Sequence, residues 1–164
     1  VNKLRLFKLL SVLLVFVVVF LSGCSSKTDE KDYTIACTLL IECKSINENL
    51  DKFDKNKKDI VPKDGIIFKE KTIYFKDGES VFDLLVRECK KNKIHLDFDN
   101  NSALNSSYIK GIANIYEFDA GATSGWLFKV NGKDSSVGSN QVKLKKDDKI
   151  LWYYSCDYPK EGAK

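Results

Sequence analysis

Arginine and histidine are scarce here, and their scarcity removes whole classes of chemistry. The chain has 164 residues, yet its only arginines are Arg5 and Arg87 and its only histidine is His95. Without paired guanidinium forks there is little to read phosphate groups in the bidentate way. One histidine with no CxxC beside it is a poor start for a zinc site. Asp97-x-Asp99-x-Asn101 begins as a calcium loop begins, but Ser102 and Tyr108 stand where the sixth-position Gly and twelfth-position Glu are needed. No Gly-rich phosphate loop precedes a helix, and no Ser-Gly pair makes a hydrolase elbow. A Cys–His nucleophile pair needs a reduced thiol beside His95, and nothing in the sequence points to one. No internal repeat is present. The expectation is a chain that is not an enzyme and holds no metal.

Long hydrophobic runs are also missing. The one apolar stretch, Leu9 to Leu21, falls short of the ~20 residues that span a bilayer. Lys3, Arg5 and Lys8 precede it and Leu21-Ser22-Gly23-Cys24 follows. That is the plan of a lipoprotein signal: a cationic start, a short apolar core, then an aliphatic residue, two small ones and a cysteine. Residues 1–23 are expected to be cleaved and Cys24 to take a diacylglycerol, so that the acylated Cys24 holds the chain to the outer face of the cell membrane. Val1 is read as an initiator from a codon other than ATG. The formal charge of +4 includes the signal's three cations and no acid, so the processed chain carries +1. That is no footprint for nucleic acid.

Residues 24–32 read as a polar, lipidated tether reaching at most ~25–30 Å. Residues 33–158 are one domain, large enough to bury ~68–70% of its unfolded surface, and 159–164 are a tail. Tyr33 to Cys43 alternates apolar and polar as a half-buried strand does. Asn47 to Lys63 is charged and reads as a solvated loop or short surface helix. Strands are expected at Ile66 to Phe68 and Thr72 to Phe75. Ser80 caps a helix to Lys93, with Asp83 completing an approximate capping box and Phe82, Leu85, Val86 and Cys89 on one face. A strand Ile94 to Phe98, a polar loop Asp99 to Ser107 and a β stretch Tyr108 to Phe118 follow.

The C-terminal stretch organises the rest. Trp126, Phe128 and Val130 alternate into Asn131-Gly132, a tight-turn pair because both accept positive φ. Gln141 to Leu144 and a charged turn, Lys146 to Lys149, lead to Ile150, Trp152 and Tyr154 in a last strand. One amphipathic helix on a mostly antiparallel sheet is the economical packing, which makes the fold class α+β. The aromatic residues crowd this half. Alternation forces some outward, since Trp152 and Tyr153 cannot both face in. Tyr116, Trp126, Trp152 and Tyr153 are the candidate face for a ligand or partner.

Cys37, Cys43, Cys89 and Cys156 are an even set in an oxidising place. Cys37 and Cys43, six residues apart on one strand, stand roughly 20 Å apart at ~3.3 Å per residue, well beyond the ~7 Å a disulfide spans. Two pairings remain: Cys43–Cys156 with Cys37–Cys89, or Cys37–Cys156 with Cys43–Cys89.

Gly125-Trp126, Val130-Asn131-Gly132-Lys133, a Gly-containing loop and Ile150-Leu151-Trp152-Tyr153-Tyr154 together resemble the C-terminal domain of transcobalamin and intrinsic factor. More closely, the chain resembles the bacterial domain of unknown function related to it, which is common in Gram-positive surface lipoproteins. The resemblance covers about Tyr33 to Cys156. It implies a β-grasp-like sheet with parallel first and last strands, which favours Cys43–Cys156. It also implies a flat ligand such as a cobalamin-like corrinoid, although the large helical domain that holds the vitamin's other face in such binders has no counterpart here. The alternative is an envelope module that docks another surface protein or a transporter.

Overall fold

A computed structural model describes residues 32–101 and 106–158. The signal, Cys24, the tether before Asp32, residues 102–105 and the tail lie outside the described residues.

The first strand, β1 (Ile35–Glu42), is the axis of the main sheet. Its alternation sends Cys37, Leu39 and Ile41 into the core. On one side it pairs antiparallel with β2 (Ile66–Phe75), and on the other it runs parallel to β8 (Lys149–Ser155). The order is β2-β1-β8-β6-β7, with β6 spanning Gly125–Val130 and β7 Lys133–Asp134. A second sheet joins β3 (Leu96–Asn101), β4 (Ser106–Ile112) and β5 (Ile115–Tyr116) in that order. The class is α+β with mostly antiparallel pairing, and the parallel contact of first and last strands is the one expected of a β-grasp.

Between Cys43 and Gly65 lie a short helix, α1 (Lys44–Glu48), and a 3-10 turn, Lys55–Ile60. This stretch is less solvated than its charge suggests, because Ile46 and Phe53 are buried in the core. Gly65 (φ 67°) lets the chain return against Lys44, whose backbone would stand 2.7 Å from any Cβ there.

Several boundaries differ from the expected ones. The two strands predicted between Ile66 and Phe75 are one strand of ten residues. It lies at the sheet's edge, where the charged Lys69, Glu70 and Lys71 reach solvent and the register with β1 shifts between Lys71 and Phe68, as at a β-bulge. β3 continues through Asn101 into the predicted polar loop. Gln141 to Leu144 forms no ladder among the described residues beyond one bridge, Lys143 with Ser80.

The helix α2 (Val81–Lys91) begins as the sequence indicates. Ser80 Oγ accepts from Asp83 N, and the Asp83 carboxylate accepts from Ser80 N, so two orphan donors of the first turn are satisfied. Its buried stripe is rotated slightly from the predicted one: Val81, Leu84, Leu85 and Cys89 face the core, while Phe82 and Val86 are half-buried. Phe82 meets Phe98 edge-on, with ring centroids 4.9 Å apart.

Glu88 is buried on this helix and is held by Arg87, whose Nη1 donates to it across 2.6 Å. The same guanidinium donates through Nε to Glu79 (2.9 Å) and through Nη2 to the Tyr74 carbonyl (3.0 Å). It also lies 4.9 Å from the centroid of the Tyr33 ring, with Lys76 at 4.6 Å from the same ring. The only arginine after the signal is thus a structural clamp. It ties α2 to β2 and fixes the place where the chain enters the domain.

Candidate functional site

Two buried aromatic side chains carry polar handles, and both handles reach the same loop. Trp126 on β6 donates Nε1–H to the Ile115 carbonyl across 2.8 Å. The Tyr154 hydroxyl on β8 stands 2.9 Å from the Tyr116 carbonyl and 2.9 Å from Ser124 Oγ. Burial and the nearby Asp119 push the Tyr154 phenol up to about 12, against local hydrogen bonds that pull it down, so it stays a neutral donor. Residues 115–124 are therefore hung from the core by two donors that cannot move without disturbing it.

The loop is braced within itself as well. Asp119 accepts from Tyr116 N across 2.7 Å and takes both carboxylate contacts of Lys57 Nζ, at 2.7 and 2.8 Å. Lys57 Nζ also lies 4.9 Å from the centroid of the Tyr116 ring. Elsewhere that ring lies so close to the Gly111 backbone that an added Cβ would stand 2.9 Å from it. His95 Nε2 and the Tyr116 hydroxyl are 2.8 Å apart. The close approach of the Tyr116 ring requires glycine at Gly111, within β4.

What this framework displays is Phe118. It follows β5 in the left-handed region (φ 68°), where a bulky side chain is rare, and is 61% exposed. Its own N–H donates to the Ser124 carbonyl across 3.1 Å, which closes the turn behind it. Tyr108, 50% exposed, lies on the adjacent β4 and hydrogen-bonds through its hydroxyl to Glu117. Partial burial first, then Glu117, raises the Tyr108 phenol to about 12. Tyr158, also exposed, follows β8 and is tied through its N–H to the Thr123 carbonyl at 2.9 Å. Three aromatic side chains thus reach solvent from strands and turns joined to one loop.

The predicted face is divided differently. Trp126 and Trp152 are 6% and 2% exposed and pack into the core against Tyr154 and Phe128, so they cannot meet a ligand at the surface. Tyr153 points to the opposite face of the main sheet, where its hydroxyl donates to Asp134 across 2.6 Å. Tyr116 is half-buried beneath the loop. Alternation correctly separates Trp152 from Tyr153, but it sends the larger ring inward. Phe118 and Tyr108 were not singled out by the sequence. The available signal was an aromatic residue flanked by the turn formers Asp119 and Gly121.

The other polar groups are occupied locally. Lys110 lies 3.6 Å from Asp97 and 3.2 Å from Asp99, which places these acids in ion pairs. Among the described residues no group of three metal-ligating side chains converges. Cys37, Cys43 and Cys89 are buried thiols, raised to about 11, 12 and 12 chiefly by desolvation. Cys156 is buried as well, with Ser45 Oγ 3.5 Å from its Sγ. Cys43 caps α1 just beyond the end of β1, and the parallel register Glu42–Tyr153 brings that end beside the end of β8.

The fold is one also found within a larger protein of solved structure. The crystal structure of haptocorrin in complex with Cbi aligns with a TM-score of 0.52 at 14% identity, over 82% of this chain and 28% of that one. The chain therefore spans little more than a quarter of haptocorrin, and the likeness is one of fold. A candidate metal-binding protein from Ruminococcus gnavus ATCC 29149 aligns at a TM-score of 0.43 and 10% identity, over 74% of this chain and 97% of that one. Residues 78–156 match the family described as "Domain of unknown function (DUF4430)". Among curated proteins no sequence match was found.

Proposed function

We propose that the chain is a membrane-anchored extracellular lipoprotein, acylated at Cys24, whose domain is a non-catalytic binding module for a small flat ligand such as a corrinoid. The Phe118 loop is the binding surface. The observation that carries this reading is a large apolar side chain held in solvent in a left-handed conformation by donors from the core. Such an arrangement costs of order 1–3 kcal/mol locally and persists where surrounding structure enforces it. Haptocorrin, in complex with Cbi, offers the fold precedent. Thiols raised by burial, and a His95 already bonded to Tyr116, favour binding over catalysis.

A second reading has its own support. Phe118 projects outward, which suits insertion into a partner's pocket on another envelope protein. Titration of the chain from Ser25 onward with cobalamin, by equilibrium dialysis, separates the two. Saturable retention at low micromolar concentration supports the ligand reading. Absence of retention, with a cross-linked membrane partner recovered through a label at residue 118, supports the docking module.

On the outer face the cysteines are proposed to form Cys43–Cys156 and Cys37–Cys89. The adjoining ends of β1 and β8 support the first pair.

A further inference from the structure

The strand directions decide which end of the domain the tether leaves from. β1 begins at Ile35, opposite Phe75, so the chain enters beside the end of β2. The turn before β8 is stitched to this same place: Asp147 N donates to the Ala36 carbonyl and Thr38 N to the Asp148 carbonyl, each across 2.8 Å. The Asn131-Gly132 turn joins it, with Asn131 Nδ2 donating to Asp148 (2.8 Å) and Asn131 Oδ1 accepting from Lys149 N (2.9 Å). Lys143 bridges to Ser80 at the neighbouring corner. One rigid pole thus gathers the chain's entry point and the exposed side chains of Lys133, Lys143, Lys145, Lys146 and Lys149.

None of these five lysines has an ion-pair partner among the described residues. Asp148 is buried and spent on the turn, where it accepts from Lys145 N across 2.8 Å, and Asp134 is paired with Lys129 at 3.6 Å. Asp77, Asp83 and Asp147 are the exposed acids that remain nearby, Asp83 being hydrogen-bonded to Ser80, with Asp32 paired to Lys76 at 3.4 Å. The opposite pole, residues 44–64, interleaves its lysines with Glu48, Asp51, Asp54, Asp59 and Asp64 and is nearly neutral. Unpaired lysines are therefore gathered at one end of a domain whose basic and acidic residues are balanced as a whole.

We propose that this lysine pole is a docking surface for an anionic phospholipid membrane, and that docking turns the Phe118 loop away from the lipid. Charge complementarity names the occupant, because unpaired lysines on a fixed surface attract anionic headgroups within a Debye length, ~8 Å at physiological salt. The Phe118 loop precedes β6 and adjoins the end of β8, where Gly125 stands opposite Ser155, so it lies at the far pole. The clamp of Tyr33 by Lys76 and Arg87 fixes the exit of the chain at the lysine pole. The setting rests on the lipid-anchor reading; the surface itself does not.

The test uses the chain from Ser25 onward, since the part from Asp32 is a compact unit of its own. Co-sedimentation is measured with phosphatidylcholine vesicles and with vesicles that add phosphatidylglycerol. Binding is expected only to the second, and it should disappear as salt shortens the Debye length. The quadruple variant Lys133→Gln, Lys145→Gln, Lys146→Gln, Lys149→Gln should lose about tenfold or more of this partitioning. The matched variant Lys52→Gln, Lys55→Gln, Lys58→Gln, Lys63→Gln should keep it. Equal loss in both variants, equal binding to neutral vesicles, or binding to a soluble glycerol-phosphate polymer but not to vesicles overturns the proposal. Release of Cys24→Ala protein from whole cells tests the anchor separately, and either result there leaves the vesicle experiment intact.

Discussion

Trp126 and Tyr154 stand edge to face on neighbouring strands, with ring centroids 5.4 Å apart and planes at 79°. Trp126 bonds the carbonyl of Ile115, and Tyr154 that of the next residue, Tyr116. The hydrophobic core and the outer loop are thereby one mechanical unit. Removing the Tyr154 hydroxyl with Tyr154→Phe leaves the packing intact and takes away one of the two core donors that hold the loop. A stability loss of about 1–2 kcal/mol is expected, together with faster amide exchange at Phe118. Unchanged exchange there contradicts the claim that Tyr154 holds the loop.

Gly111 and the Tyr116 ring make the second such contact. A methyl group at Gly111 would stand 2.9 Å from the ring. Gly111→Ala is expected to displace Tyr116, and with it the contacts to His95 and Lys57. The His95 ring signals in an NMR spectrum should shift while those of α2, on the far side of β3, stay put. A spectrum changed everywhere would mean that the ring is a core element and not a local prop.

These relationships separate what was legible in the sequence from what was not. The alternation of β1 and β8, the Asn131-Gly132 turn and the Ser80–Asp83 cap are all local patterns, and each is in place. The exposed loop was not legible, because it depends on which aromatic rings the core accepts. Trp152 and Tyr153 differ by one position, and alternation alone leaves open which faces inward. The burial of Phe53 within a charged segment is likewise decided by tertiary contacts, since its neighbours Lys52 and Asp54 are as polar as any loop. The Gly65 close approach needed the path of α1 to be known.

Arg87 supplies a third prediction. Arg87→Ala leaves Glu88 buried without its cation and releases Tyr33. Breaking a buried pair from one side costs about 3 kcal/mol or more, so denaturant unfolding should shift to a clearly lower midpoint. Arg87→Ala with Glu88→Gln should recover part of the loss. Lack of any recovery would place the cost in the Glu79, Tyr74 and Tyr33 contacts instead.

Alkaline stability follows from the buried thiols and phenols. In the reduced protein Cys37, Cys43 and Cys89 titrate near 11, 12 and 12 instead of 9.0. Tyr154 titrates near 12 instead of 10.0. Each folded value is raised, so the unfolded chain releases these protons first. The stabilisation is complete below pH 9.0 and is lost as pH rises toward 11 and 12. Urea melts across that range should show the fall. In the exported protein, peptide mapping should join Cys43 to Cys156. A Cys43–Cys89 peptide would contradict the proposed pairing.

The most direct measurement compares wild type with Phe118→Ala in the cobalamin dialysis experiment, using the chain from Ser25 onward. The account predicts saturable retention by the wild type and a loss of about tenfold or more in the variant, the size expected when a central aromatic contact is removed. Because Phe118 is exposed and strained, the variant should be no less stable. Equal retention by both proteins would place the site elsewhere, and retention by neither would contradict corrinoid binding by this domain.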